Sequence, residues 1–130
     1  MRTIRVVAAV ISRDGKYLIT QRREAAVLPL LWEFPGGKVE DDEEDDRALE
    51  RELAERLGAR IRVGMKVGER RHEYDGYVVE LALYAADLLD DHLEPRRVRT
   101  FRWVSSGDFD QYKFPDADQA TMDVLLGVRQ

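Results

Sequence analysis

The spacing of apolar and polar positions changes along this chain, and each change marks an element. Residues 4–12 (IRVVAAVIS) are apolar and rich in β-branched side chains, the pattern of a buried strand. Asp14-Gly15 is a tight-turn pair, and residues 16–21 (KYLITQ) read as the hairpin partner. Residues 22–31 keep no period and contain Pro29, which predicts a loop. Trp32-Glu33-Phe34 predicts a short strand stopped by Pro35-Gly36-Gly37. Over residues 45–57 the period becomes helical. Leu49, Leu53 and Leu57 recur every fourth residue with Ala48 beside them, while Glu52, Glu55 and Arg56 fall on the other face. Glu44, Asp45 and Asp46 suit the positive N-terminal end of that helix, and Gly58 stands where a terminating glycine belongs. Residues 59–69, 77–86 and 98–104 predict three further strands, the first two joined by an Asp75-Gly76 turn. Residues 87–97, with Pro95, predict a loop. Residues 118–128, with Met122, Leu125 and Leu126 on one face, predict a last helix. The order β-β-β-α-β-β-β-α predicts an α/β fold in which helices cover a mixed sheet, with residues 1–130 forming one domain.

Composition narrows the classes of function. With 130 residues, 44% hydrophobic and 36% charged, the chain buries one core beneath a heavily ionised surface, which argues against global disorder. It has no cysteine, which excludes a disulfide scaffold, a thiolate zinc site and a cysteine nucleophile, and fits a reducing cytoplasm. Its apolar runs are too short to span a bilayer, and its N-terminus does not read as a signal peptide, so no membrane partner is expected. A net charge of −5 is a poor match for duplex nucleic acid. The arginines at 70–71 and at 96, 97 and 99 lack the interleaved aromatics of a nucleic-acid platform. His72 and His92 are twenty apart and show no metal-ligand spacing.

The charge is unevenly placed. Glu40 to Asp46 are seven consecutive acids. Such a run is either a solvated loop leading into a helix or a source of oxygen ligands for a hard cation. The residues that follow favour a cation site centred downstream. Glu52 and Glu55 are three apart on a helix and can reach one cation, and Arg51 is four before Glu55, placed for an ion pair. Glu43 precedes the helix and can fold back onto it. Gly36 and Gly37 let the loop backbone pass close by, so that a carbonyl such as that of Gly37 can join the carboxylates around magnesium. Within the acid run, Glu43 can supply an oxygen, with Glu40 and Glu44 in reserve. Asp41, Asp42, Asp45 and Asp46 are expected to be solvated loop and helix-start charges.

The spacing from Gly37 to Ala59 resembles the Nudix box: Gly37, five residues, Glu43, seven residues, then Arg51-Glu52-Leu53, Glu55 and Gly58. The segments Val6 to Ile11, Gln21-Arg22, Trp32 to Lys38 and Phe114-Pro115 with Asp118 resemble the MutT branch of the Nudix hydrolases, so the likeness covers essentially the whole chain. The resemblance implies a Nudix-like α/β/α sandwich with a mixed sheet. It implies hydrolysis of a nucleoside triphosphate, of the 8-oxo-dGTP or CTP type, to monophosphate and pyrophosphate. Alternatives are a weakly active or inactive nucleotide-binding module and a hydrolase of nucleoside diphosphate sugars or related derivatives. Magnesium, with manganese as a substitute, is the implied cofactor. A nucleotide is the implied partner, with the protein a monomer or homodimer. Glu52, Arg51 and Glu43 take the implied catalytic roles. Gly37, Glu52 and Glu55 are the implied metal ligands. Arg22, Phe34, Lys38 and Asp118 are the implied substrate contacts, Asp118 toward the base.

Two positions depart from the family pattern. Arg56 stands where the box carries a second glutamate. Arg97 stands six residues before Trp103, where MutT-like members often carry another; Glu94, three residues earlier, is a potential replacement. Each swap exchanges a ligand for a cation that keeps its proton. Weaker metal binding, fewer metals, or direct contact between these arginines and substrate phosphate is therefore expected, with activity reduced in the first two cases.

Overall fold

The computed structural model describes residues 2–26 and 29–115. The expected final helix and Asp118 lie outside them. Among the described residues, eight strands and one α-helix follow in chain order. β1 (Arg2–Val10), β2 (Ser12–Arg13), β3 (Lys16–Gln21), β4 (Trp32–Glu33) and β5 (Gly36–Lys38) precede α1 (Asp45–Leu57). After it come β6 (Ile61–Tyr74), β7 (Tyr77–Leu88) and β8 (Thr100–Ser105), which leads into a 3-10 turn (Ser106–Gln111).

The strands form two sheets where the sequence suggested one. The first has the order β5-β1-β7-β6 and is mixed: β1 runs parallel to β7 and antiparallel to β5. In the second, β3 pairs antiparallel with β2, β4 and β8. The split follows from β1 alternating its side chains between two cores. Val7 and Ala9 join Leu49, Leu53 and Leu57 of α1, whereas Ala8 joins Ile19, Leu81, Leu83, Phe34 and Phe109. One sheet buried on both faces therefore needs a helix on one side and a second sheet on the other.

α1 occupies the predicted span. Ala48, Leu49, Leu53 and Leu57 are all fully buried, and each such leucine contributes about 1.5–3 kcal/mol relative to exposure. Asp45 and Asp46 lie in the first turn, and Gly58 ends the helix at φ 62°, a left-handed conformation suited to glycine.

Several strand boundaries differ from the sequence reading, among them the end of β6 and the start of β5. β6 runs on to Tyr74, so the Asp75-Gly76 turn joins it directly to β7; the charged residues beyond Glu69 hid the continuation, because β6 is an edge strand with a polar outer side. Gly36-Gly37, read as the end of a strand, begins a new one against β1. Space explains both glycines: a Cβ on Gly36 would lie 1.9 Å from the Val7 carbonyl oxygen, and one on Gly37 would lie 2.3 Å from the Glu52 carboxyl carbon.

Candidate active site

Arg51 is the hub of the charged face of α1. Its Nε donates to Glu43 Oε2 at 2.8 Å and its Nη2 to Glu43 Oε1 at 2.9 Å, a two-pronged grip. Nη2 also donates to the Lys38 carbonyl oxygen at 3.0 Å, tying the end of β5 to the helix. Nη1 reaches Glu52 Oε1 at 3.1 Å and Glu55 Oε2 at 3.4 Å. One planar guanidinium thus fixes three carboxylates and one strand end, which lysine's single ammonium cannot do.

This grip changes the acid it holds. The Glu43 carboxyl is pulled down from 4.5 to about 2, first by the hydrogen bonds from Arg51 and then by the backbone N–H of Glu40, which donates to it at 3.0 Å. Arg51 is pushed further above its ordinary value, chiefly by the same bonds to Glu43.

Glu52 is the most enclosed carboxylate of the group, its side chain 9% exposed. Its second oxygen accepts from Arg56 Nε at 2.6 Å. It lies against Gly37, whose missing side chain makes room for it. Glu55 is paired with Arg51 and, at 3.6 Å, with Arg97. The reason Arg97 arrives there lies in the end of α1. The backbone N–H groups of Arg96 and Arg97 donate to the Arg56 carbonyl oxygen, and that of Glu94 donates to the Leu57 carbonyl oxygen. Terminal carbonyls that a helix cannot satisfy internally thus dock the loop of residues 89–99 onto it.

Glu33 is a member of the site that the sequence reading gave no role. On β4 it faces Arg22, whose Nη1 donates to it at 3.0 Å. Burial pushes the Glu33 carboxyl up, against the opposing pull of Arg22 and then Arg56. The available signal was a lone acid between two aromatics, Trp32 and Phe34.

Two cavities open over these groups. One, of about 190 Å³, is lined by Arg22, Arg23, Ala26, Glu52, Glu55, Arg56 and Arg97. The other, of about 200 Å³, reaches Glu33, Gly37 and Lys38 and shares Arg22 and Arg56 with the first.

The fold also fixes the surroundings of other residues singled out in the sequence. Phe34 is buried in the second core, edge-on to Phe109 at 5.8 Å, and also contributes to a cavity wall. Glu94 pairs with Arg96 and His92 and is not among the residues that line either cavity. Lys38 accepts from Arg51 through its backbone carbonyl and lines the second cavity. Asp45 is not simply solvated: it accepts from the Tyr84 hydroxyl at 2.6 Å and pairs with Arg5. Asp118 lies outside the described residues.

The donor set suits a hard cation in kind, since Glu52 and Glu55 supply oxygen and Gly37 leaves space beside Glu52. Among the described residues no three histidine, aspartate or glutamate side chains are gathered as a ready-made cage. Both carboxylates are instead engaged by arginine.

An α/β fold that wedges a glycine strand against a glutamate on such a helix defines a class. The NUDIX domain model matches residues 6–124, and the chain belongs to this family. Over 129 residues it is 36% identical to the CTP pyrophosphohydrolase of Escherichia coli K12, covering 99% of this chain and 96% of that protein. Among solved structures, it resembles the ORF135 protein of E. coli at 36% identity and TM-score 0.82, covering 98% and 91% of the two chains. It also resembles the MutT protein of methicillin-resistant Staphylococcus aureus 252 at 37% identity and TM-score 0.76, covering 98% of each chain. The chain is thus a Nudix protein related to the CTP pyrophosphohydrolase and MutT proteins. Among the described residues, no helix is long and apolar enough to cross a membrane.

Proposed function

We propose that this chain hydrolyses a nucleoside triphosphate to the monophosphate and pyrophosphate, with magnesium as cofactor and manganese as a substitute. The observation that carries this reading is the convergence of Glu52 and Glu55 with Arg22, Arg56 and Arg97 on one cavity beside Gly37. Acids to hold a cation and guanidinium groups to hold phosphate meet there within one small volume. The likeness to a CTP pyrophosphohydrolase favours a pyrimidine triphosphate; the likeness to MutT keeps an oxidised purine nucleotide among the substrates to test.

Glu52 and Glu55 would hold the cation. When bound, a divalent cation neutralises phosphate oxygens and promotes attack by water. The chain's own part is positioning. Arg51, locked by Glu43 and the Lys38 carbonyl, fixes the Glu52 and Glu55 carboxylates, so little reorganisation is left for the reaction. Glu52, the most enclosed of them, is the group placed to take a proton from the attacking water. Arg22 lines both cavities, held by Glu33, to grip phosphate oxygens. The water oxygen ends on one phosphorus, and the bridging oxygen leaves with the other.

A panel of canonical and oxidised nucleotides, incubated with magnesium and assayed for pyrophosphate release, tests this. Release from at least one member is expected. Silence across the panel, from protein shown to be folded, would sink it. A second reading, a nucleotide-binding module without turnover, is favoured by the pairing of Arg56 with Glu52 and Arg97 with Glu55. That reading expects calorimetric affinity for a nucleotide that magnesium hardly changes.

A further inference from the structure

The two carboxylates suited to a cation are already neutralised from within the chain. Glu52 accepts from Arg51 at 3.1 Å and from Arg56 at 2.6 Å, and Glu55 meets Arg51 at 3.4 Å and Arg97 at 3.6 Å. The three arginines are not held alike. Arg51 is anchored by two bonds to Glu43 and one to a backbone carbonyl, so it stays when a cation arrives. Among the described residues, Arg56 and Arg97 hold no such double grip on another acid, and they line the same cavity as Arg22 and Arg23. That cavity carries four guanidinium groups against two carboxylates, an excess that attracts a multiply charged anion.

We propose that Arg56 and Arg97 make cation binding conditional on polyphosphate. In the free protein they plug Glu52 and Glu55. When a polyphosphate enters, its oxygens draw both guanidinium groups away, because two-pronged bonds to phosphate replace the single contacts to the carboxylates. The freed carboxylates then accept the cation beside the phosphate. Cation and polyphosphate thus favour each other's binding, and the coupling is reciprocal. This rests on the reading that the cavity takes a nucleoside polyphosphate, but its test does not need turnover.

The test compares wild type with R97Q and with R56Q/R97Q, using free Mn2+ measured by electron paramagnetic resonance. Mn2+ alone is expected to bind the double variant about tenfold tighter than wild type, with R97Q between them. Tripolyphosphate in metal-free buffer is expected to bind the double variant about tenfold more weakly than wild type. Sulfate, a tetrahedral dianion that scarcely chelates Mn2+, is expected to raise the Mn2+ affinity of wild type and not of the double variant. Chloride at equal ionic strength is the control for screening. Arg97 is 64% exposed, so R97Q is expected to keep the fold even where Arg56 changes disturb it. Mn2+ affinity that is unchanged or lower in the variants overturns the proposal even if wild type hydrolyses nucleotides well. Higher Mn2+ affinity in the variants with weaker tripolyphosphate binding upholds it even if no nucleotide in the panel is hydrolysed.

Discussion

Two mixed clusters of charge lie along α1, and they differ in how their charges are held. Near the N-terminal end, Arg5, Asp45, Lys66, Glu69, Arg71 and Glu80 surround the larger cavity, about 330 Å³. Along the middle of the helix, Glu52, Glu55, Arg56 and Arg97 line a cavity of about 190 Å³, and Arg51 ties Glu52 and Glu55 to Glu43. The larger cavity has the weaker organisation. Its Lys66–Glu69 pair is exposed, and Arg71 is 60% exposed where it meets Glu73. Asp45 is its best-held acid, and the Tyr84 hydroxyl that donates to it is pushed up to about 12, first by burial and then by Asp45 itself. In the middle cluster, by contrast, one arginine serves three carboxylates, and Glu52 is nearly enclosed. Chemistry is better marked by carboxylates that are fixed and desolvated than by cavity size or number of charges, because fixed charges respond little to water and strongly to a ligand.

This contrast can be broken most severely at Glu52. Glu52→Gln keeps the shape but removes the charge, and kcat for pyrophosphate release is expected to fall roughly a thousandfold with the melting temperature little changed. Near-normal turnover would move the chemistry elsewhere. Gly37→Ala is expected to cost about a hundredfold in kcat/KM, because its Cβ would lie 2.3 Å from the Glu52 carboxyl carbon and force that group out of position. Steady-state kinetics alongside circular dichroism would separate this displacement from unfolding.

Acid titration sharpens the contrast further. The folded-state value for Glu43 lies below the ordinary 4.5, so the stabilising effect of its pairing is fully present above about pH 4.5. It is lost as pH falls toward about 2. Urea denaturation at pH 6 and pH 3 is therefore expected to show a larger acid-induced loss for wild type than for Glu43→Gln. Equal losses would mean that Arg51 does not hold Glu43 in solution as it does here. The smallest effect belongs to the other cluster: Arg71→Ala, which removes an exposed pair, is expected to change stability by no more than about 0.5 kcal/mol and to leave turnover unaltered.

How much of this was legible in the chain depends on the range of each interaction. The helix could be read to its ends, because Leu49, Leu53, Leu57 and Gly58 carry their information in local spacing. The hairpin turn at Asp14-Gly15 was legible for the same reason, and both residues adopt positive φ. Arg51's pairing with Glu55 and Arg56's with Glu52 follow from one turn of helix. Glu33 was not legible, since its importance comes from Arg22, eleven residues away, and from burial on a two-residue strand. The meeting of Arg97 with Glu55 was equally hidden, because a loop docked on the last carbonyls of α1 creates it.

The sequence by itself determined the helix, its apolar face, the family pattern of glycine and acids, and the two arginines that break that pattern. These rest on interactions between residues a few positions apart, where the backbone's own geometry sets the distance. Only the tertiary structure decided that the strands divide into two sheets and that Gly37 must be bare to admit Glu52. It alone decided that Phe34 belongs to the core and that Arg56 and Arg97 lie on the carboxylates. Those outcomes depend on which side chains are brought together across the fold, and there packing and desolvation, not spacing along the chain, set the energies.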